Sequence, residues 1–333
     1  MNVLRALNSA LYDCLEQNED VYFLGEDVLD PYGGAFKVAQ GLSTAFPGRV
    51  ITTPVSEAGI VGVGTGMALR GLRPVVEIMF GDFLLLAADQ LVNHAAKLRW
   101  MANDQVRVPL VVRTPMGGRR GYGPTHSQSL EKHLLGAPGL TVVALSSLDD
   151  PGGILKRAVL EDQDPVLLVE HKLLYAQDVL APGGDHDLAV DRLGTGYPAY
   201  RMRVRGAPAP NLTIATYGYM ADLAHQALLA LAYEHEVFGE LVVFTQLSPV
   251  DLAPLFESLK ATKRLITAEE GTLSLGWGAE VAARSLESGV GELHLRRVAA
   301  REIPVPAAGA LEAAMLPQVD DLVSAAIELS RRG

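Results

Sequence analysis

Val21-Tyr22-Phe23-Leu24-Gly25-Glu26-Asp27 is a short apolar run that ends abruptly in glycine and two carboxylates. A strand buried on both faces reads as such a run, and in parallel sheets the polar, ligand-binding groups follow the carboxyl end. Upstream, Leu4, Leu7, Leu11, Cys14 and Leu15 recur at helical spacing, with a stop near Asn18, so a helix precedes this strand. Downstream the alternation continues. The pattern predicts strands over 50–52, 74–80, 108–113, 140–145 and 165–170, and helices over 57–70, 84–101 and 149–161. Strand, helix and strand repeated in this way give an open parallel sheet with helices on both faces.

The pattern breaks in a stretch rich in glycine and proline, then resumes. A second α/β unit is expected, with strands over 212–216, 241–244, 264–268 and 293–298, and helices over 220–233, 252–261, 279–287 and 307–315. The chain thus divides into a first domain at 1–185, an irregular linker at 186–210 and a second domain at 211–333. Its 333 residues suit two domains, each with its own core.

The formal charge of 28 − 39 = −11, without a dense Lys/Arg block, argues against nucleic acid as a partner. Cys14 is the single cysteine, which excludes an internal disulfide or a Cys-rich zinc site and fits a cytoplasmic setting. No apolar run reaches the ~18 residues a membrane span needs. Asp13, Glu16, Glu19 and Asp20 follow the N-terminus too closely for a signal peptide.

Chemistry is expected beyond the strand ends of the first domain. Glu57 opens a helix directly after a strand, where Ser56 can cap and a carboxylate suits the helix dipole. A dipole-compensating role and a ligand role are both open at this point. Gly59, Gly62 and Gly66 share one face of that helix, at ~1 kcal/mol each against alanine, which close approach of another backbone would offset. Phe83 follows a strand end, as a core aromatic or as a flat wall for a heteroaromatic ring. The loop Met116-Gly117-Gly118-Arg119-Arg120-Gly121-Tyr122-Gly123-Pro124-Thr125-His126-Ser127-Gln128-Ser129 is long and glycine-rich, and His126 in it could move protons near neutral pH. Glu269-Glu270 end a strand of the second unit and read first as structural or interface residues. No Gly-Lys-Ser/Thr phosphate loop, dinucleotide fingerprint, paired-His zinc helix or Gly-x-Ser-x-Gly elbow occurs.

Several segments together resemble a family. They are Glu26-Asp27-Val28, Gly33-Gly34-Ala35-Phe36, Thr53-Pro54-Val55-Ser56-Glu57, Arg73-Pro74-Val75-Val76-Glu77, Phe80-Gly81-Asp82-Phe83, Asp89-Gln90-Leu91-Val92-Asn93, His126-Ser127-Gln128-Ser129 and Glu269-Glu270-Gly271. In order and spacing they resemble the beta subunit of the thiamine-diphosphate-dependent 2-oxoacid dehydrogenase decarboxylating component, of the pyruvate, branched-chain and acetoin type, in the transketolase-like superfamily. The resemblance covers nearly the whole chain. It implies a pyrimidine-binding domain followed by a transketolase C-terminal-like domain. Glu57 matches the glutamate that hydrogen-bonds the aminopyrimidine ring nitrogen of the cofactor and so promotes loss of the thiazolium proton. Phe83 matches the aromatic packed on the pyrimidine, and His126 the histidine that faces the substrate.

The function so implied is oxidative decarboxylation of a small 2-oxoacid with acyl transfer to a lipoyl group on an acyltransferase. The Gly-Asp-Gly segment with downstream Asn that holds diphosphate and Mg2+ in such enzymes does not occur here. The resemblance therefore implies an alpha subunit holding that half, in an α2β2 heterotetramer. It also implies a structural K+ on backbone carbonyls, here those of Leu110, Ala158 and Asp162, although the turn Glu161-Asp162-Gln163-Asp164 is one residue longer than usual. Phe244-Thr245-Gln246-Leu247-Ser248-Pro249 and Ile303-Pro304-Val305-Pro306-Ala307 depart from the family pattern, the latter lacking its tyrosine. Two alternatives stand beside this reading: a two-chain transketolase-like or acyloin-forming carboligase with the same cofactor, and a non-catalytic scaffold chain.

Overall fold

Helix α1 (Val3–Gln17) begins where the Asn2 side chain accepts the Arg5 N–H, and it buries Leu7, Leu11, Cys14 and Leu15 as the spacing demands. The Asn18 N–H returns to the Cys14 carbonyl, and β1 (Val21–Gly25) follows. The computed structural model describes residues 1–148, 150–180, 183–184 and 186–331. The first lobe continues with α2 (Leu42–Ala45), β2 (Val50–Thr52), α3 (Glu57–Leu69), β3 (Arg73–Glu77), α4 (Ala96–Met101), β4 (Val111–Met116), β5 (Thr141–Ala144), α5 (Pro151–Leu160) and β6 (Val166–His171). Residue 149, the expected start of α5, lies outside the described residues; the helix is capped by Asp150, which accepts the Gly153 N–H at 2.8 Å.

The second lobe holds β7 (Gly183–Gly184), β8 (Leu188–Leu193), β9 (Ala199–Val204), β10 (Leu212–Tyr217), α6 (Met220–His235), β11 (Gly239–Phe244), β12 (Gln246–Ser248), α7 (Ala253–Thr262), β13 (Arg264–Thr272), α8 (Trp277–Glu287), β14 (His294–Ala300), α9 (Gly309–Met315) and α10 (Val319–Ser330). Each lobe is built on a seven-stranded open sheet, ordered β12-β5-β6-β4-β3-β1-β2 and β14-β13-β10-β11-β9-β8-β7. Strands β1 to β6 are parallel to their neighbours, and β12, from the second lobe, joins antiparallel to β5. In the second sheet β10, β11, β13 and β14 are parallel, while β7, β8 and β9 are antiparallel. The expected two open-sheet α/β domains are therefore present.

Three local expectations are corrected. Residues 186–210 are not irregular: β8 and β9 form a hairpin whose β9 pairs with β11. Leu188, Tyr200 and Met202 are buried at two-residue spacing within their strands, and the glycines at 194 and 196 form the turn between them. The helix expected over 84–101 is instead a 3-10 segment (Gly81–Ala87), a π-helical turn (Gln90–Ala95) and α4. The wide turn shifts the register by a residue, so that Ala95 and Ala96 are both buried. Helix α10 escaped the sequence reading although Gln318 and Asp321 form a capping box at its start.

Candidate active site

The carboxyl ends of β1, β2, β3 and β4 open along one edge of the first sheet, the place such sheets use for ligands. Glu57 is the first residue of α3 and is buried, 5% exposed. Ser56 does not cap through its side chain as expected; its carbonyl accepts the Ile60 N–H instead. Among the described residues, no protein donor is bonded to the Glu57 carboxylate. Behind it Gly64 lets α3 lie against the sheet, since a Cβ there would come within 2.8 Å of Val76 and 3.1 Å of Leu110. Gly62 faces Gln90, whereas Gly59 and Gly66 point outward with Val55 and Val63.

Glu26, just past β1, is also buried. Burial raises its proton affinity, and the charges of Glu57, Asp27 and Glu77 raise it further. Glu77 in turn belongs to a closed network. Arg113 donates to Glu77, to Glu170 at 2.8 and 2.5 Å, and to the Tyr175 hydroxyl at 3.2 Å. Glu26 therefore links the Glu57 carboxylate to a charge-compensated core. The sequence reading compared the segment holding Glu26 but did not single this residue out; the signal was its place directly after a buried strand.

Phe83 sits half-buried in the 3-10 segment that packs against α3. Its ring meets His126 edge-on at 5.3 Å and 88°. Phe80, also missed, meets the same imidazole at 4.9 Å and 82°. The structure thus brings Phe83 and His126 together, with Glu57 on the helix alongside. The His126 Nδ1 faces the Thr125 hydroxyl at 3.0 Å. The loop 117–129 closes at its base, where the Gly117 N–H donates to Gln128 O at 3.1 Å. Asp82 accepts the Gln128 backbone and side-chain N–H groups, both at 3.0 Å. Lys172, fully buried, donates to Gly117 O at 2.7 Å. Burial lowers its pKa to about 8, offset in part by the charges of Asp82 and Glu270.

The second lobe reaches this loop. Glu270 accepts the Gly118 N–H at 2.8 Å, the Arg119 Nε–H at 3.0 Å and the His171 Nε2–H at 3.1 Å. The His171 proton is placed on Nε2 because Nδ1 accepts the Leu173 N–H at 3.1 Å. Burial alone would raise the Glu270 pKa, but His171, Arg119 and the amide hold it well below the carboxylate range. Glu269 accepts the first N–H groups of α8, from Trp277 at 2.8 Å and Gly278 at 2.9 Å. The structural role expected of both residues is what these bonds describe.

Two of the carbonyls expected to hold potassium each accept one hydrogen bond and keep a second lone pair. Leu110 O accepts the Val166 N–H at 2.9 Å. Arg73 donates to Val159 O at 2.7 Å and to Asp162 O at 3.1 Å, so a guanidinium lies at that turn. Among the described residues no cluster of three or more His, Cys, Asp or Glu is placed to hold a metal, and no helix is long and apolar enough to cross a membrane.

Comparison with known proteins agrees with this geometry. Residues 1–177 match the transketolase pyrimidine binding domain and residues 202–322 the transketolase C-terminal domain. The beta-1 subunit of the mitochondrial pyruvate dehydrogenase E1 component of Oryza sativa subsp. japonica is 36% identical over 331 residues, covering 98% of this chain and 86% of the relative. The beta-1 counterpart in Arabidopsis thaliana is 36% identical over 330 residues, 98% and 88% of the two chains. A beta subunit from Rhizobium meliloti is 35% identical over 331 residues, 98% and 69%. A solved split-gene transketolase, described as an inactive beta4 tetramer, superposes with a TM-score of 0.76 over 99% of both chains at 19% identity, a likeness of fold. With both domains matched and such identity along nearly its whole length, the chain belongs to the family of pyruvate dehydrogenase E1 component beta subunits.

Proposed function

We propose that this chain is the beta subunit of a two-chain, thiamine-diphosphate-dependent 2-oxoacid dehydrogenase that decarboxylates pyruvate or a branched 2-oxoacid and passes the acyl group to a lipoyl acceptor. The observation that carries the reading is Glu57: a carboxylate 5% exposed beside the strand ends, to which no described protein donor is bonded. Its oxygens are not among the sealed, unpaired polar atoms, so they keep access to a donor from outside the chain, such as a ligand.

The residues fit the aminopyrimidine half of the cofactor. Glu57 would hydrogen-bond a ring nitrogen and share a proton with it, and Phe83 would supply a flat apolar wall. Bound thiamine diphosphate would supply the electron sink that makes loss of carbon dioxide from a 2-oxoacid accessible. Glu26, whose own proton affinity the Glu57 charge raises, would add negative potential beside the pyrimidine. His126, gripped edge-on by Phe80 and Phe83, would face the substrate and pass a proton or stabilise charge during acyl transfer.

The other half of the site belongs in this reading to an alpha subunit that holds the diphosphate and Mg2+ in an α2β2 heterotetramer. The exposed face of α3, with Gly59, Val63 and Gly66 beside Val55, supports a protein surface packed there. A structural K+ on the Leu110, Ala158 and Asp162 carbonyls stays in the reading, since Arg73 takes one lone pair of the Asp162 carbonyl and leaves the other. The lone buried Cys14 supports a cytoplasmic setting.

Co-expression with an alpha chain tests the reading. Calorimetry is expected to show thiamine diphosphate binding when both chains are present. Pyruvate or a branched 2-oxoacid, tested in a panel beside acetoin, is expected to drive reduction of an artificial acceptor. An assembly that binds no cofactor returns the chain to a scaffold. Turnover with an aldehyde acceptor but no lipoyl transfer makes it a carboligase.

A further inference from the structure

The glycine-rich loop 117–129 bears His126, yet its form is dictated largely from the other lobe. Gly117, Gly118, Gly121 and Gly123 make the segment intrinsically floppy, so ordering it requires specific ties. The Glu312 carboxylate, only 3% exposed, provides two of them. It accepts the Arg119 N–H at 2.8 Å through Oε1 and the Gly121 N–H at 3.0 Å through Oε2. Arg119 lies at φ +70° and Gly121 at φ +68°, so the carboxylate fastens a left-handed backbone turn whose amides converge on one anion. Gly118 has no room for a side chain: a Cβ there would lie 2.7 Å from Leu316 and 3.1 Å from Glu312. Arg119 locks the arrangement by donating to Pro317 O at 2.6 Å and Gln318 Oε1 at 3.3 Å.

We infer that Glu312 is a positioning residue for His126: it fixes the turn at 119–121 so that the imidazole is held between Phe80 and Phe83 facing the substrate. The inference rests on the role given to His126 above. Two carboxylates of the second lobe serve the loop differently. Glu270 is paired with Arg119, accepts from His171 and ties down the base at Gly118, whereas Glu312 meets backbone amides nearest the turn that leads to His126.

The test uses the two-chain assembly with Glu312→Gln, His126→Ala and the double variant. Glutamine keeps the size but offers one acceptor oxygen, so at most one of the two amides stays paired. Glu312→Gln is expected to lower 2-oxoacid turnover by about 10- to 100-fold, the scale of a misplacement near 1 Å, with thiamine diphosphate affinity within about twofold. In the His126→Ala background the same change is expected to cost less than about twofold further, because coupled residues are not additive. Hydrogen exchange of the amides in 117–129 is expected to speed up in Glu312→Gln while that of β4 does not. A full additional loss in the His126→Ala background, or unaltered exchange of the loop, overturns the inference. Should Glu312→Gln fail to assemble, exchange in the unmodified assembly decides: slow exchange at Arg119 and Gly121 supports the tie, and exchange at the rate of an open loop overturns it. If the unmodified assembly shows no 2-oxoacid turnover, the functional reading falls; tightened or loosened exchange then still decides whether Glu312 holds the turn.

Discussion

Glu57 in the first lobe and the pair Glu269-Glu270 in the second occupy equivalent ground, each beside the carboxyl end of a parallel strand, and both sites are buried. Their bonding is opposite. Every carboxylate oxygen of Glu269 and Glu270 has at least one N–H donor: helix amides for one, an imidazole, a guanidinium and a loop amide for the other. Glu57 has no such donor among the described residues. Residue type and topological address are thus shared by the two sites; what differs is whether the chain itself pairs the carboxylate oxygens.

The contrast can be broken most forcefully at Glu57. Glu57→Gln is expected to lower 2-oxoacid turnover by about 10²–10⁴-fold and to leave the melting temperature of the assembly nearly unchanged. A variant that melts early but turns over normally would reverse the assignment. Glu270→Ala should behave the other way. Removing one member of a buried charge network costs ~3–5 kcal/mol, here by stranding His171 and Arg119, so thermal unfolding should shift down by several degrees while cofactor affinity changes little. Unchanged melting would show that the network is not what holds the lobes.

A third carboxylate sharpens the scale between these extremes. Asp222, on α6, accepts the Ser147 hydroxyl at 2.6 Å on Oδ1, while Oδ2 is buried without a partner among the described residues. Burial pushes its pKa up to about 6, with the Ser147 bond and the nearby His171 ring opposing. The folded state thus binds the proton more tightly than the unfolded chain, and this stabilisation, complete below the unfolded pKa, is lost as pH rises toward 6. Asp222→Asn has no such loss. Its stability relative to the parent is expected to improve by ~1–3 kcal/mol between pH 4 and pH 7.5, read as a widening gap in melting temperature. A gap that does not change with pH removes burial as the cause.

The legible part of the site was local. Strand ends, the glutamate opening α3 and Phe83 could be read because each lies within a few residues of an apolar run. The ties between Glu312 and Arg119 or Gly121 could not, because residues so far apart in sequence leave no periodic trace. The hairpin of β8 and β9 was legible in principle through Leu188, Val190, Tyr200 and Met202, but neighbouring glycines and prolines outweighed that alternation. Likewise Leu84, Ala87 and Leu91 fit a helical stripe, and only packing against α3 shows the register slip that follows.

Strand β12 has a mechanical consequence. It leaves the second lobe to run along β5, and Thr245 O accepts the Ala144 N–H at 2.8 Å. Separating the lobes would tear backbone pairing, so a clamshell opening between them is blocked at that edge. The same strand covers β5 and becomes the edge of the sheet itself, an edge only three residues long (Gln246–Ser248) and so a poor template for unrelated chains.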